Sequence, residues 1–162
     1  MKKALIGLLA ASALGAPALA NDNVLQLTSN PNGWALQTGD YANTRYSKLA
    51  EINRDNVGDL QVAWTFSTGV LRGHEGGPLV IGDIMYIHSP FPNKIYALDL
   101  SDDGKILWRY EPKQDPSVIP VMCCDTVNRG PAYANGMLFL HQADTTVVAL
   151  DAKSGQVRWS VV

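Results

Sequence analysis

The stretch ALDAKSGQVRW, Ala149 to Trp159, decides the fold because it occurs twice. ALDLSDDGKILW, Ala97 to Trp108, has the same order of Ala, Asp, a polar turn ending in Gly, and Trp, with one residue inserted. A matching piece precedes each copy: GPLVIGDIMYI (Gly77 to Ile87) and GPAYANGMLFL (Gly130 to Leu140). Equivalent positions lie 51 to 53 residues apart, and a degenerate third copy, NVGDLQVAWTF, puts Trp64 44 residues before Trp108. Self-similarity at this period marks a repeat architecture, in which one unit cannot bury its apolar face alone and stacks on the next.

Inside each unit the pattern is that of short strands. LVIGDIMYIHS is two runs of β-branched and aromatic residues joined by Gly82-Asp83, and AYANGMLFLHQ turns at Asn135-Gly136. Asn-Gly between apolar runs is a strong hairpin signal. VVALDAKSGQVRWSV adds strand, polar turn and strand. Each unit therefore reads as about four antiparallel strands, the make-up of a β-propeller blade. The expected class is all-β, with Trp64, Trp108 and Trp159 filling the gaps between blades. The one helical pattern after residue 21 is LAEINRDNVGDL, residues 49–60. Closure takes at least about four blades, and the sequence holds two full units and part of a third. The expectation is an amino-terminal piece of a longer protein, with edge strands unpaired in isolation.

The ends and the composition narrow the setting. Lys2 and Lys3 precede an apolar run from Ala4 to Leu14, and Ala18-Leu19-Ala20 has the small-x-small form of a signal-peptidase site. The run is too short to span a bilayer. Residues 1–20 are thus read as a signal peptide cleaved after Ala20, and 21–162 as the exported propeller portion, in a periplasm. A net charge of −2 with no basic cluster after the signal excludes nucleic acid as a partner.

The chain has two cysteines, and they are neighbours, Cys123 and Cys124. In an oxidising compartment they have no other thiol in this chain to choose. A bond between them closes an eight-membered ring and strains the peptide within it, giving an easily reduced disulfide. Free thiols, or bonds to another chain, are the alternatives. Two adjacent thiolates make a poor metal site on their own. The pair sits in EPKQDPSVIPVMCCDTVNRG, between two units, where Pro112, Pro116 and Pro120 stiffen the approach. Arg129 follows and can pair a carboxylate bidentately. Glu75, in VLRGHEGGPLV, occupies the corresponding place in the preceding unit. Taken singly, Glu75 and Arg129 are solvated charges, and His74, His88 and His141 read as surface or satisfied-core histidines.

GDYANTRYSKL, RGHEGGPLVIGDIMY, PFPN, EPKQDP, CCDTVNRG and HQADTTVVALDAKSGQVRW together resemble the amino-terminal part of the pyrroloquinoline-quinone-dependent methanol and alcohol dehydrogenases. The similarity covers the whole mature chain and is strongest to the lanthanide-dependent branch. It implies an eight-bladed propeller of the tryptophan-docking quinoprotein type in the full-length protein. It also implies a Cys123–Cys124 disulfide packed on one face of the quinone ring, Arg129 pairing a quinone carboxylate, and Glu75 hydrogen-bonded to the quinone. The cofactors implied are pyrroloquinoline quinone and a calcium or lanthanide ion. A small alcohol is the implied substrate, a periplasmic cytochrome c the acceptor, and a homodimer the assembly. The catalytic aspartate and the metal ligands are expected beyond Val162. The alternative is a non-enzymatic propeller scaffold of the outer-membrane assembly type. Cys123-Cys124 with Arg129, and the lack of a lipid-accepting cysteine after Ala20, argue against it.

Overall fold

In the computed structural model, which describes residues 22–162, the two repeats are two antiparallel four-stranded sheets. The first is Leu79–Ile81 (β1), Ile84–His88 (β2), Ile95–Asp99 (β3) and Lys105–Tyr110 (β4), in that order. The second is Ala132–Ala134 (β5), Met137–His141 (β6), Val147–Asp151 (β7) and Val157–Val161 (β8). Four strands per unit is the expected count. The signal segment and its cleavage point lie outside the described residues.

Both hairpin turns fall where they were read. Ile81 pairs Ile84 across Gly82-Asp83, and Ala134 pairs Met137 across Asn135-Gly136. Asn135 and Gly136 both have positive φ, 49° and 76°, the combination a type I′ turn needs and few other residues tolerate.

The repeat motif is a docking device, and each of its residues has a physical task. Ala97 and Ala149 are fully buried, and the β3–β4 and β7–β8 ladders slip register immediately after them. Asp151 organises the turn: its Oδ1 accepts from the Ser154 N–H and hydroxyl (both 2.9 Å), and its Oδ2 from Arg158 Nη2 (2.6 Å). Asp99 does the same for Ser101. Gly155 then lies against the Trp108 indole of the preceding unit, and Gly104 against Trp64. Trp108 Nε1 donates to the Ala152 carbonyl (3.0 Å), which also accepts the Tyr86 hydroxyl (3.1 Å). Burial, with the nearby Tyr133 and Asp151, pushes the Tyr86 phenol up to about 12.

Bonds from Arg158 and Ser154 hold the Asp151 carboxyl down at about 2. A depressed carboxyl stabilises the fold above its ordinary value of 3.8, and that contribution is lost as pH falls toward 2. In the full-length protein, Asp151→Asn should therefore flatten the acid limb of stability between those values. An acid limb identical to wild type, followed by circular dichroism, would count against this role.

One apolar core joins the two sheets, with Leu79, Tyr86, Ile95 and Ala97 from the first and Leu138, Leu140, Val148 and Leu150 from the second. The degenerate third copy packs as the motif requires although it carries no ladder. Residues 61–68 run without a strand partner among the described residues, yet Trp64 seats on Gly104 and Phe66 meets Tyr96 edge to face at 5.0 Å. The outer edge of β1 is held by Trp34, which exchanges two backbone hydrogen bonds with Val80 (2.8 and 2.9 Å). β8 is exposed along its whole length.

The helical expectation for residues 49–60 is not met; only a 3-10 turn, Val57–Asp59, forms there. The short polar side chains capture the backbone instead: Asn56 Oδ1 accepts from Asn53 N–H, Asn53 Oδ1 from Asp55 N–H, and Asn56 Nδ2 donates to the Glu51 carbonyl. A helix forms over Asp22–Ser29 (α1), with Val24 buried. Eight residues are too few to display a helical period against the neighbouring apolar run.

Candidate functional site

Antiparallel order sends the chain alternately to two ends of the sheets. The turns at 82–83, 99–104, 135–136 and 151–156 collect at one end. The long connections 70–78 and 111–131, with the turns 89–94 and 142–146, collect at the other. Cys123, Cys124, Arg129 and Glu75 all lie in those long connections.

The 111–131 connection is shaped before it reaches the cysteines. Pro116–Val121 forms a 3-10 turn whose cap, Asp115, accepts the Ser117 N–H (2.9 Å). Gln114 Nε2 donates to the Pro92 carbonyl (2.6 Å) and to Asn93 Oδ1 (3.0 Å), while its Oε1 accepts Asp144 N–H (3.3 Å). Asn93 Oδ1 also accepts Ala143 N–H (2.9 Å). Three segments of this end are thereby tied into one platform.

Cys123 and Cys124 are bonded to each other, with Cα atoms 3.8 Å apart, the spacing of an ordinary trans peptide. The sequence reading put the distortion in the peptide bond; the unusual backbone lies instead in φ, at +65° for Cys124 and +63° for Asp125. Non-glycine residues at such angles cost about 1–2 kcal/mol each. Both cysteines are exposed. Asp125 turns back onto the other connection, accepting from Arg72 Nη1 (3.2 Å) and from the Gly73 N–H (3.1 Å). His74 is exposed, donates Nδ1–H to the Arg72 carbonyl (2.7 Å) and accepts the Thr68 hydroxyl at Nε2 (2.9 Å).

Glu75 and Arg129, 54 positions apart in sequence, meet as an ion pair at 3.2 Å. Both are substantially exposed, so the pair adds at most about 1 kcal/mol to stability. Its importance is placement. A carboxylate from one unit and a guanidinium from the next stand side by side near the disulfide. Asn128 holds the arginine's segment: its Oδ1 accepts Gly130 N–H (2.8 Å), and its Nδ2 donates to the His141 carbonyl (2.9 Å). A cavity of about 530 Å³ opens here, with Cys123, Arg129, Asn128, Asn93, His141 and Thr145 in its wall. Among the described residues no group of three or more His, Cys, Asp or Glu is placed to hold a metal ion.

All four predicted site residues thus share one end of the molecule. Asp125, Asn128, Asn93 and Gln114 were missed. They lie inside the recognised runs CCDTVNRG, PFPN and EPKQDP, but the partners of Asp125, Asn93 and Gln114 are 21 to 53 residues away.

The family described as "PQQ: Glucose/ethanol/alcohol dehydrogenase, beta-propeller domain" matches residues 34–129, which include Glu75 and the CCDTVNR run. The chain belongs to this family. Among relatives of these alcohol dehydrogenase propellers, the lanthanide-dependent methanol dehydrogenase of Methylorubrum extorquens is 70% identical over 97% of this chain and 26% of its own length. The methanol dehydrogenase [cytochrome c] subunit 1 of Paracoccus denitrificans is 51% identical over 89% of this chain and 24% of its own. A solved europium-containing methanol dehydrogenase superposes with a TM-score of 0.85 at 51% identity, over 87% of this chain and 25% of that one. The chain spans about a quarter of the length of the curated relatives it matches.

Proposed function

We propose that residues 21–162 are the amino-terminal part of a periplasmic methanol dehydrogenase that uses pyrroloquinoline quinone and a lanthanide ion. It oxidises a primary alcohol to the aldehyde, passes electrons to cytochrome c and assembles as a homodimer. The observation that carries this reading is that Cys123, bonded to Cys124, and Arg129, ion-paired to Glu75, stand in the wall of one cavity. The choice of lanthanide over calcium rests on the relative named for it at 70% identity.

The donor set suits a flat quinone bearing carboxylates. Arg129 offers a planar fork of N–H donors that matches a carboxylate, and its exposed guanidinium is already paired to one, that of Glu75. Cys123 and Cys124 would offer a polarisable, rigid surface to a bound quinone. Glu75 would offer it acceptor oxygens. The clamp from Asp125 to Arg72 and Gly73 keeps both connections together. When bound, the quinone supplies a two-electron acceptor for the alcohol's hydride, polarised by its metal ion. The catalytic aspartate and the metal ligands are assigned to the protein beyond Val162. A cofactor-free scaffold has no use for the exposed disulfide beside Arg129.

In the full-length protein, Arg129→Ala should weaken quinone retention about 10–100-fold, the loss of one charge-assisted bond of about 1.5–3 kcal/mol. The melting midpoint should hardly move, because the ion pair lost is exposed. Unchanged quinone occupancy after dialysis would rule this role out.

A further inference from the structure

His88, the last residue of β2, is 5% exposed and has no part in the reading above. Expected from sequence as a surface or satisfied-core histidine, it is buried and only half satisfied. Its Nε2 faces the Asn128 carbonyl at 2.9 Å, so that nitrogen carries the proton, and Nδ1 is left buried with no hydrogen-bond partner. Two glycines press on the ring. A Cβ on Gly76 would fall within the imidazole and only 2.8 Å from the Arg129 carbonyl. A Cβ on Gly130 would stand 2.9 Å from Cε1 and 3.1 Å from Nδ1.

Gly76 follows Glu75 and Gly130 follows Arg129. The backbones of both charged residues therefore rest on one imidazole, which the β2–β3 ladder anchors through the pairing of His88 with Ile95. We propose that His88 is a positioning residue: its ring is the spacer that sets Glu75 against Arg129 and thereby tunes how tightly the site holds the quinone. This rests on the functional reading above.

Burial holds the imidazole below its ordinary value of 6.5, in the neutral form. The titratable and charged groups around it are His74 and Glu75 on the connection into β1, and Arg129 and His141 toward the second sheet. None of them accepts a proton-bearing Nδ1. Protonation would put an unmatched N–H into the contact with Gly130. In the folded protein the ring stays neutral at pH 6.5 and takes up its proton only as pH falls through its depressed value, so the arrangement is intact above that point and weakens beneath it.

The test uses the full-length holoprotein. Release of pyrroloquinoline quinone is followed by absorbance from about pH 5 to 8, and folded fraction by circular dichroism, for wild type, His88→Ala and His88→Gln. Glutamine keeps a donor for the Asn128 carbonyl but takes up no proton. His88→Ala should release quinone at least about tenfold faster at equal folded fraction, and His88→Gln should recover most of that loss. Wild-type release should accelerate below pH 6.5 while His88→Gln stays flat. Wild-type release rates in His88→Ala, or one shared pH profile for wild type and His88→Gln, would overturn the proposal. If His88→Ala does not fold, the glutamine profile decides. A wild-type protein that holds no quinone at any pH refutes the functional reading itself, and the proposal with it.

Discussion

Replacing Gly155 with alanine is expected to destabilise the full-length protein by about 2–5 kcal/mol, although the residue sits in a surface turn. Its φ is +70°, where an L side chain costs about 1–2 kcal/mol. The new methyl would also stand 2.6 Å from Cδ2 of Trp108. The indole cannot slide away, because its Nε1 is committed to the Ala152 carbonyl. Forcing a methyl into such a contact adds about 1–3 kcal/mol. Gly82→Ala is the control: its φ is +59°, but nothing lies within 4 Å of the added methyl. The difference between the two variants in urea denaturation measures the docking contact alone. A difference below about 1 kcal/mol would show that the tryptophan does not depend on that glycine.

The double substitution Cys123→Ser, Cys124→Ser should have the opposite profile, a small stability change and a large loss of quinone. A disulfide stabilises mainly by restricting the unfolded chain, and a ring between neighbours restricts almost nothing. The melting midpoint should therefore shift by only about 1–2 °C. Locally, residue 124 loses the ring that constrains its backbone, and the neighbouring Asp125 loses a fixed start for its reach to Arg72 and Gly73. Quinone occupancy of the full-length protein should fall at least about tenfold. Full occupancy in the double variant would sink the platform role. As a control, unreduced wild type should take up no alkylating reagent at Cys123 or Cys124, since the two are bonded to each other.

The two results would separate two kinds of information in this chain. The fold is written locally and repeatedly. Asn135-Gly136 specifies its turn through φ preferences belonging to those two residues. Ala-x-Asp…Gly…Trp repeats because every blade meets its neighbour by the same contact, so Trp64 docks on Gly104 even where its segment has no ladder. The misplaced helix has the same origin. Asn53, Asp55 and Asn56 divert the backbone through bonds that a count of apolar spacing does not weigh.

The site is different, because it depends on distances between segments that no local pattern encodes. By itself, the sequence determined the blades, the turns and the docking tryptophans, and it supplied the four residues to which the family resemblance gives a role at the proposed quinone site. Only the tertiary structure decided that Glu75 and Arg129 stand 3.2 Å apart, that Asp125 clamps one connection to the other, and that a buried histidine packs against the glycine following each of the pair. The physical reason is that strand and turn preferences act over a few residues. A charge pair or a spacer ring exists only once packing has brought separate loops to the same end of the sheets.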